Sequence, residues 1–513
     1  MQTNLLEYLD EIVKLKPDKI AFSDGIDNLT FRELQNDSKA IGSWLDEGGF
    51  YKEPVIVFMG RHPRTIATFF GVLTAGCFYV PVDMEMSVVR IQKIVEITDA
   101  KIIICDHETY EEARNISTGR KVVLFEDICN TPVNEDNLLK IRQLCLDTDP
   151  VYVVFTSGST GTPKGVVSSH RAVIDYIEHL SEALGFDETT VFGNQTPLYF
   201  DASMKEIYPS IKFGVPTYII PKELFLLPVK LVSYLNDYKI NTICWVVSAL
   251  TIVSAVDTFK TIKPQYLKKI AFVGEVFPIK QFNKWKETLP HVEFFNLYGP
   301  TEGTGVCCYY KVDREFALDE NMPVGRPFRN TEILLLKENA MSAGSGEEGE
   351  ICIRGSSLAL GYYKDIEKTK EVFVQNPLNS SYPEIIYKTG DIGKYGTDGN
   401  LYFVSRKDYQ IKHMGHRIEL GEIEVNANML DGVERACCLY DKKKGKIILY
   451  YNGVMAEKDV VENIKRQLPR YMVPNRIVKI DKMPLTVNGK IDRKRLENNE
   501  YGKITENFGR ITS

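Results

Sequence analysis

The chain has 513 residues, 44% hydrophobic and 26% charged, an ordinary balance for a folded protein and too long for one hydrophobic core. A formal net charge of −6 argues against a general nucleic-acid surface. Ten scattered cysteines without a C-x-x-C pair argue against a metal cluster and for free thiols in a reducing, cytoplasmic setting.

The opening M-Q-T-N-L-L-E-Y-L-D-E has no basic segment followed by an apolar core, so no signal peptide is expected. Thr30 and Glu33 have the spacing of a capping box, and Ile41, Trp44 and Leu45 continue an apolar helical stripe behind them. A strand is predicted at 54–58. The longest apolar stretch, 65–82, is interrupted by Gly71, Gly76 and Pro81, so it reads as a helix, a glycine stop and a strand rather than a membrane span. Short apolar strands follow at 101–105 and 121–125, and the alternation of strands with helices implies a largely parallel sheet. Another apolar run, 151–154, leads into F-T-S-G-S-T-G-T-P-K-G-V. Glycines let such a loop turn backbone N–H groups toward one concave spot, and Thr156, Ser157, Ser159, Thr160 and Lys164 add donors suited to a polyphosphate. The alternative is a solvated linker. Pro163 before Lys164 and Gly165 after it exclude a Walker loop.

A helix capped by Ser168 or Ser169 then presents Val173, Ile174, Ile177, Leu180 and Leu184 on one face. A second strand–helix series, with strands at 217–220, 243–247 and 270–273, runs to about Lys286. From Gly344 the character changes to a smaller antiparallel β subdomain ending near Arg406. The final hundred residues read as a separate α+β unit with a strand at 447–451. Its helix carries Val460, Val461, Ile464 and Leu468 and stops at Pro469. The adjacent pairs Cys307-Cys308 and Cys437-Cys438 would face opposite ways wherever they lie on strands.

Three further stretches carry chemistry. In N-L-Y-G-P-T-E, Tyr298, Thr301 and Glu302 project around a Gly-Pro turn as a base-stacking face, a phosphate donor and a Mg²⁺ ligand. In Y-K-T-G-D, the Asp391 carboxylate can accept both hydroxyls of a ribose. In N-G-K, the Asn-Gly pair is a tight hairpin signal that presents Lys490 at a tip. Each of the three, by itself, is also compatible with a plain surface turn.

Taken together and in order, L-T-F-R-E-L, L-T-A-G-C-F-Y-V-P-V-D, the phosphate loop, F-D-A-S, N-L-Y-G-P-T-E, G-E-I-C-I-R-G, Y-K-T-G-D and N-G-K-I-D-R resemble the adenylate-forming (acyl-adenylating) enzymes, over about Leu29 to Arg493. Amino-acid adenylation domains of nonribosomal peptide synthetases and D-alanine–carrier protein ligases are the most similar branches. The resemblance implies an α/β fold: a large N-terminal domain, 1–406, of α/β layers with parallel sheets and a small β subdomain. A small, mobile α+β C-terminal lid, 407–513, would carry the catalytic lysine, with a hinge at Lys407-Asp408. It implies that a carboxylate attacks the α-phosphorus of ATP, that pyrophosphate leaves, and that a thiol then takes the acyl group.

By the same resemblance Lys490 bridges the two anions. Thr156, Ser157, Gly158, Ser159, Thr160 and Lys164 hold the β- and γ-phosphates, Thr301 meets the α-phosphate and Glu302 holds Mg²⁺. Tyr298 stacks on adenine in a slot with Gly274, Glu275, Asn296 and Gly299, while Asp391 and Arg406 hold the ribose. Asp201 matches the position that pairs with an α-ammonium, which implies an amino-acid substrate; an N-cap role on the following helix is the alternative. The pocket lining would be Ala202, Lys205, Cys244, Ala271, Val273, Leu297, Gly305 and Val306. If Lys205 points inward, an acidic or strongly hydrogen-bonding side chain fits; if outward, a modest apolar one. Val273 departs from the bulkier cysteine-containing wall of D-alanine ligases.

No carrier domain follows the last motif, so the thiol acceptor is expected to be a phosphopantetheinylated carrier protein acting in trans. An acid–CoA ligase is the alternative, and neither a nucleic acid nor a membrane is an expected partner.

Overall fold

The computed structural model describes residues 2–498 except 159–161, 257, 408, 443 and 487–490. The chain divides into two units. The first is Met1–Met84, Ile94–Phe155 and Lys164–Asp408; the second is Glu85–Lys93, Thr156–Pro163 and Tyr409–Ser513. The mixed α/β architecture, with parallel sheets in a large N-terminal part and a smaller C-terminal domain, is the expected one. No helix among the described residues is long and apolar enough to cross a membrane.

Two large sheets dominate the first unit. One has seven strands and places Pro150–Thr156 between Lys164–Ser169 and Phe78–Val82. Its neighbours Pro54–Phe58, Ile102–Cys105 and Lys121–Leu124 are all parallel. Every residue of Phe78–Val82 is buried. Strands covered on both faces need continuous apolar runs, which is why these were readable. The other sheet has nine strands, with Glu293–Tyr298, Lys269–Val273 and Thr242–Val246 parallel in its middle and antiparallel pairs toward its ends. Its two faces feed different cores. Ile243, Trp245, Ile270 and Phe272 pack on one side; Cys244, Ala271, Val273 and Leu297 pack on the other. A five-stranded antiparallel sheet, from Thr331–Leu336 to Leu401–Arg406, forms the predicted β subdomain.

Local signals hold at the helix starts. Thr30 caps Phe31–Glu47 in a full capping box with Glu33, and Ser169, rather than Ser168, caps His170–Leu184. The cysteine pairs differ from each other. Cys437 and Cys438, within Val433–Asp441, enter separate cores. Cys307 precedes the strand Cys308–Lys311 and shares one core with Cys308, their sulfurs 3.9 Å apart, because period-2 alternation applies only inside a strand.

In the second unit, Val433–Asp441, Lys446–Gly453 and Arg476–Lys479 make a three-stranded sheet covered by Leu420–Asn428 and Glu457–Gln467. Arg493 grips both Glu424 oxygens, at 2.7 and 2.9 Å, and lies 3.8 Å from the centre of the Tyr409 ring. Leu485 and Ile491 form an isolated antiparallel bridge. The predicted tip Asn488-Gly489-Lys490 and the hinge residue Asp408 lie outside the described residues.

Candidate active site

The strand Glu293–Tyr298 runs straight into the turn that carries Thr301 and Glu302. A Cβ on Gly299 would sit 2.5 Å from the Val306 Cα and 2.7 Å from the Gly305 carbonyl oxygen, so the turn folds back on itself only with glycine there. The Cys307 N–H donates to the Tyr298 carbonyl at 2.8 Å and closes this return. Beyond the short 3₁₀ helix Thr301–Gly303, Thr304 is left-handed at φ +57°. Its hydroxyl donates to the Ser357 carbonyl at 2.7 Å, which helps hold an uncommon conformation for a β-branched residue.

The expected ribose pair forms through strand register. Asp391 lies opposite Arg406 across the antiparallel ladder, and their side chains, 6% and 13% exposed, form an ion pair. Arg406 also donates to the Thr389 carbonyl at 3.2 Å, and the Tyr298 hydroxyl donates to Asp391 Oδ2 at 2.6 Å. Burial and the neighbouring carboxylate push the Tyr298 phenol well above its usual range. Just past the end of the neighbouring parallel strand Lys269–Val273, Gly274 has φ +99° and open space where a Cβ would stand, with the partly exposed Glu275 next in the chain. The Asn296 amide donates to the Pro323 carbonyl at 2.8 Å.

Glu302 is fully buried and accepts from the Tyr362 hydroxyl at 2.7 Å. Tyr362 belongs to the strand Gly361–Tyr362, which pairs with Lys164–Ser169, and the Lys164 ammonium lies 5.7 Å from its ring centre. Among the described residues no three His, Cys, Asp or Glu side chains gather as a metal set. A lone carboxylate such as Glu302 is the type of donor Mg²⁺ usually takes near nucleotides, together with substrate phosphates and water. In the phosphate loop the Thr156 hydroxyl is buried with no hydrogen-bond partner among the described residues. Within the second unit, the Ser157 hydroxyl donates to the Arg417 carbonyl at 2.8 Å and the Gly158 N–H to Glu422 at 3.2 Å. Ser159 and Thr160 lie outside the described residues.

The acid side is built from the nine-stranded sheet and the segment Asp201–Phe213. Asp201 opens a 3₁₀ turn, and the N-cap position of the helix Met204–Phe213 is Ser203, so the capping alternative fails. Burial raises the Asp201 carboxyl above its ordinary range, against a hydrogen bond from Thr301 and the charge of Lys205. Asp201 thus stands beside the residue expected at the α-phosphate. Lys205 is 1% exposed, so of its two orientations the inward one is adopted; its ammonium donates to the Ala202 carbonyl. Next to it Glu206 is fully buried and accepts from Asn194 at 3.2 Å. Burial pushes it up to about 7, against the charge of Lys205. The Cys244 thiol is raised by burial and by Glu206. Cys244 pairs with Ala271, and Val273 with Leu297, on the sheet face that shares a core with Val306. Gly305 has φ +93°, and a Cβ there would lie 3.8 Å from Asp201 Oδ2 and 3.8 Å from the Tyr176 hydroxyl.

Tyr176 and Glu206 were not among the expected site residues. Tyr176 sits on the apolar face of His170–Leu184, where an aromatic at helical spacing reads as core. No short motif could have singled out either one.

The AMP-binding enzyme family matches residues 9–363, and the AMP-binding enzyme C-terminal domain matches residues 422–490. A D-alanine–D-alanyl carrier protein ligase of Bacillus anthracis is 32% identical over 510 residues, covering 96% of this chain and 98% of the relative. Gramicidin S synthase 1 of Brevibacillus brevis is 32% identical over 498 residues, 96% of this chain but 44% of the synthase. The chain thus spans under half of that relative. In structure, holo-PA1221, an NRPS protein containing adenylation and PCP domains, superposes with a TM-score of 0.82 at 23% identity, over 97% of this chain and 84% of that one. The chain therefore belongs to the AMP-binding enzyme family.

Proposed function

We propose that the protein activates an amino acid as its aminoacyl-adenylate and passes the acyl group to the phosphopantetheine thiol of a carrier protein acting in trans. The observation that carries this reading is Asp201, a carboxylate beside Thr301 with room toward Gly305. Asp201 is only partly exposed, and a carboxylate so placed is stabilised by a cation, which the α-ammonium of an amino acid supplies. The full-length likeness to a ligase whose name specifies a carrier protein supports the acceptor.

In the first step a substrate carboxylate oxygen bonds to the α-phosphorus of ATP while the bond to pyrophosphate breaks. Two anions must meet, so positioning and charge cancellation are most of the task. Asp201 orients the amino acid; Asp391 and Arg406 hold the ribose; Thr301 faces the α-phosphate; Lys490 bridges the reacting anions. Mg²⁺ bound through Glu302 would neutralise phosphate charge. In the second step the carrier thiol loses its proton, its sulfur bonds to the acyl carbon, and AMP leaves. Residues 1–406 would form the substrate-binding core and 407–513 the lid. A cytoplasmic location suits ten free thiols.

D-Alanine is the second reading, favoured by the same full-length relative, but the buried charges of Lys205 and Glu206 are more than a methyl side chain needs. ATP–pyrophosphate exchange over L- and D-amino acids and aryl acids, followed by loading of a phosphopantetheinylated carrier against free CoA, tests the proposal. Exchange with amino acids and loading of the carrier is the expected result. Exchange with aryl acids alone, or thioester formation with CoA alone, overturns it.

A further inference from the structure

Resting on the amino-acid reading above, we propose that the substrate carries an acidic side chain, and that Tyr176 is a specificity-determining residue that donates its hydroxyl to the side-chain carboxylate. Tyr176 is 2% exposed, and its hydroxyl has no hydrogen-bond partner among the described residues. A buried hydroxyl left unpaired is costly, and native structures rarely keep one without a use. This one lies near the same spot as Asp201: a Cβ on Gly305 would be 3.8 Å from each, and glycine puts no side chain between them. An amino acid whose α-ammonium pairs with Asp201 therefore brings its side chain to the Tyr176 hydroxyl.

Charge selects the chemistry of that side chain. Asp201 is neutralised by the α-ammonium. Lys205 is then the buried cation of the pocket, and its ammonium meets a backbone carbonyl. Burial holds the neighbouring Glu206 carboxyl up at about 7 against the charge of Lys205, so it is a weak counter-ion; its Oε2 accepts from Asn194, itself held by Arg61 at 2.8 Å, and its Oε1 has no hydrogen-bond partner among the described residues. An acidic side chain supplies the counter-charge that Lys205 needs and the acceptor that Tyr176 needs. An apolar side chain supplies neither, and a basic one adds a second cation to the same enclosed space.

The test is pyrophosphate exchange by the full chain with aspartate, glutamate, asparagine, glutamine, alanine, leucine and ornithine, each as both enantiomers. It is run on the wild type and on Tyr176→Phe, whose melting temperature is checked against wild type. The wild type is expected to prefer aspartate or glutamate over the matching amide at least 10-fold in kcat/KM. Tyr176→Phe is expected to lower that figure for the acidic amino acid roughly 10- to 100-fold, the cost of a hydrogen bond to a charged group, and to change alanine by less than about 3-fold. A merely structural tyrosine would lower both substrates alike. Preference of the wild type for an amide, apolar or basic amino acid overturns the acidic assignment while leaving amino-acid activation intact, and that ranking requires no variant. Exchange with no amino acid at all overturns the underlying reading as well.

Discussion

The nucleotide side and the acid side of the candidate site both belong to the first unit, yet their polar groups are satisfied in different ways. Asp391 receives the Tyr298 hydroxyl and the Arg406 guanidinium, and Arg406 reaches the Thr389 carbonyl as well. On the acid side the Lys205 ammonium meets a carbonyl and, among the described residues, Glu206 is buried without a salt bridge and the Tyr176 hydroxyl has no hydrogen-bond partner. A network that closes on itself is rigid before any ligand arrives; one with unmet donors is completed by the ligand. The difference teaches where selectivity resides. The groups proposed for the ribose, which every ATP carries, are preassembled, whereas those proposed for the variable acid leave capacity for a particular side chain.

The comparison breaks first on stability. Asp391→Ala strands the largely buried Arg406 charge and is expected to cost about 3–5 kcal/mol, as removal of one partner from a buried pair usually does. Asp201→Ala removes a carboxylate whose burial already opposes its ionisation, and is expected to leave the melting temperature close to wild type. Equal losses in the two variants would mean that the acid side is as prepaired as the nucleotide side.

Catalysis comes next, through the role proposed for Lys490. Lys490→Ala is expected to lower pyrophosphate exchange roughly 10²- to 10³-fold, the range for losing one charge-stabilising donor. Exchange near the wild-type rate would remove Lys490 from the reaction.

The smallest effect sharpens the contrast through pH. Burial raises the Glu206 carboxyl from its ordinary 4.5 to about 7, so the folded state holds this proton more tightly than the unfolded chain does. Its contribution is fully present below about pH 4.5, is lost as pH rises toward about 7, and is constant above that. Glu206→Gln keeps an acceptor for Asn194 and is expected to flatten this part of the melting temperature profile between pH 5 and 8. Identical profiles for the two proteins would show that Glu206 does not titrate there.

Much of the fold was written locally. The continuous apolar runs of the parallel strands, the Thr30–Glu33 capping box and the stop at Pro469 each depend on residues close in the chain, and each is found where expected. Motif order pointed to Asp201, Glu302, Asp391 and Arg406 as candidates, because short turn motifs keep their chemistry within a few positions. What the chain alone left open was set by packing. Whether Lys205 points inward depends on the layers enclosing it. Gly299 looked like a ligand contact, and its tight approach to Val306 comes from a loop returning on itself. Tyr176 looked like core, since helical spacing tells which face is buried and says nothing of what that face meets; only the folding of Gly305 and Asp201 toward its hydroxyl turns a core aromatic into a candidate reader of the substrate.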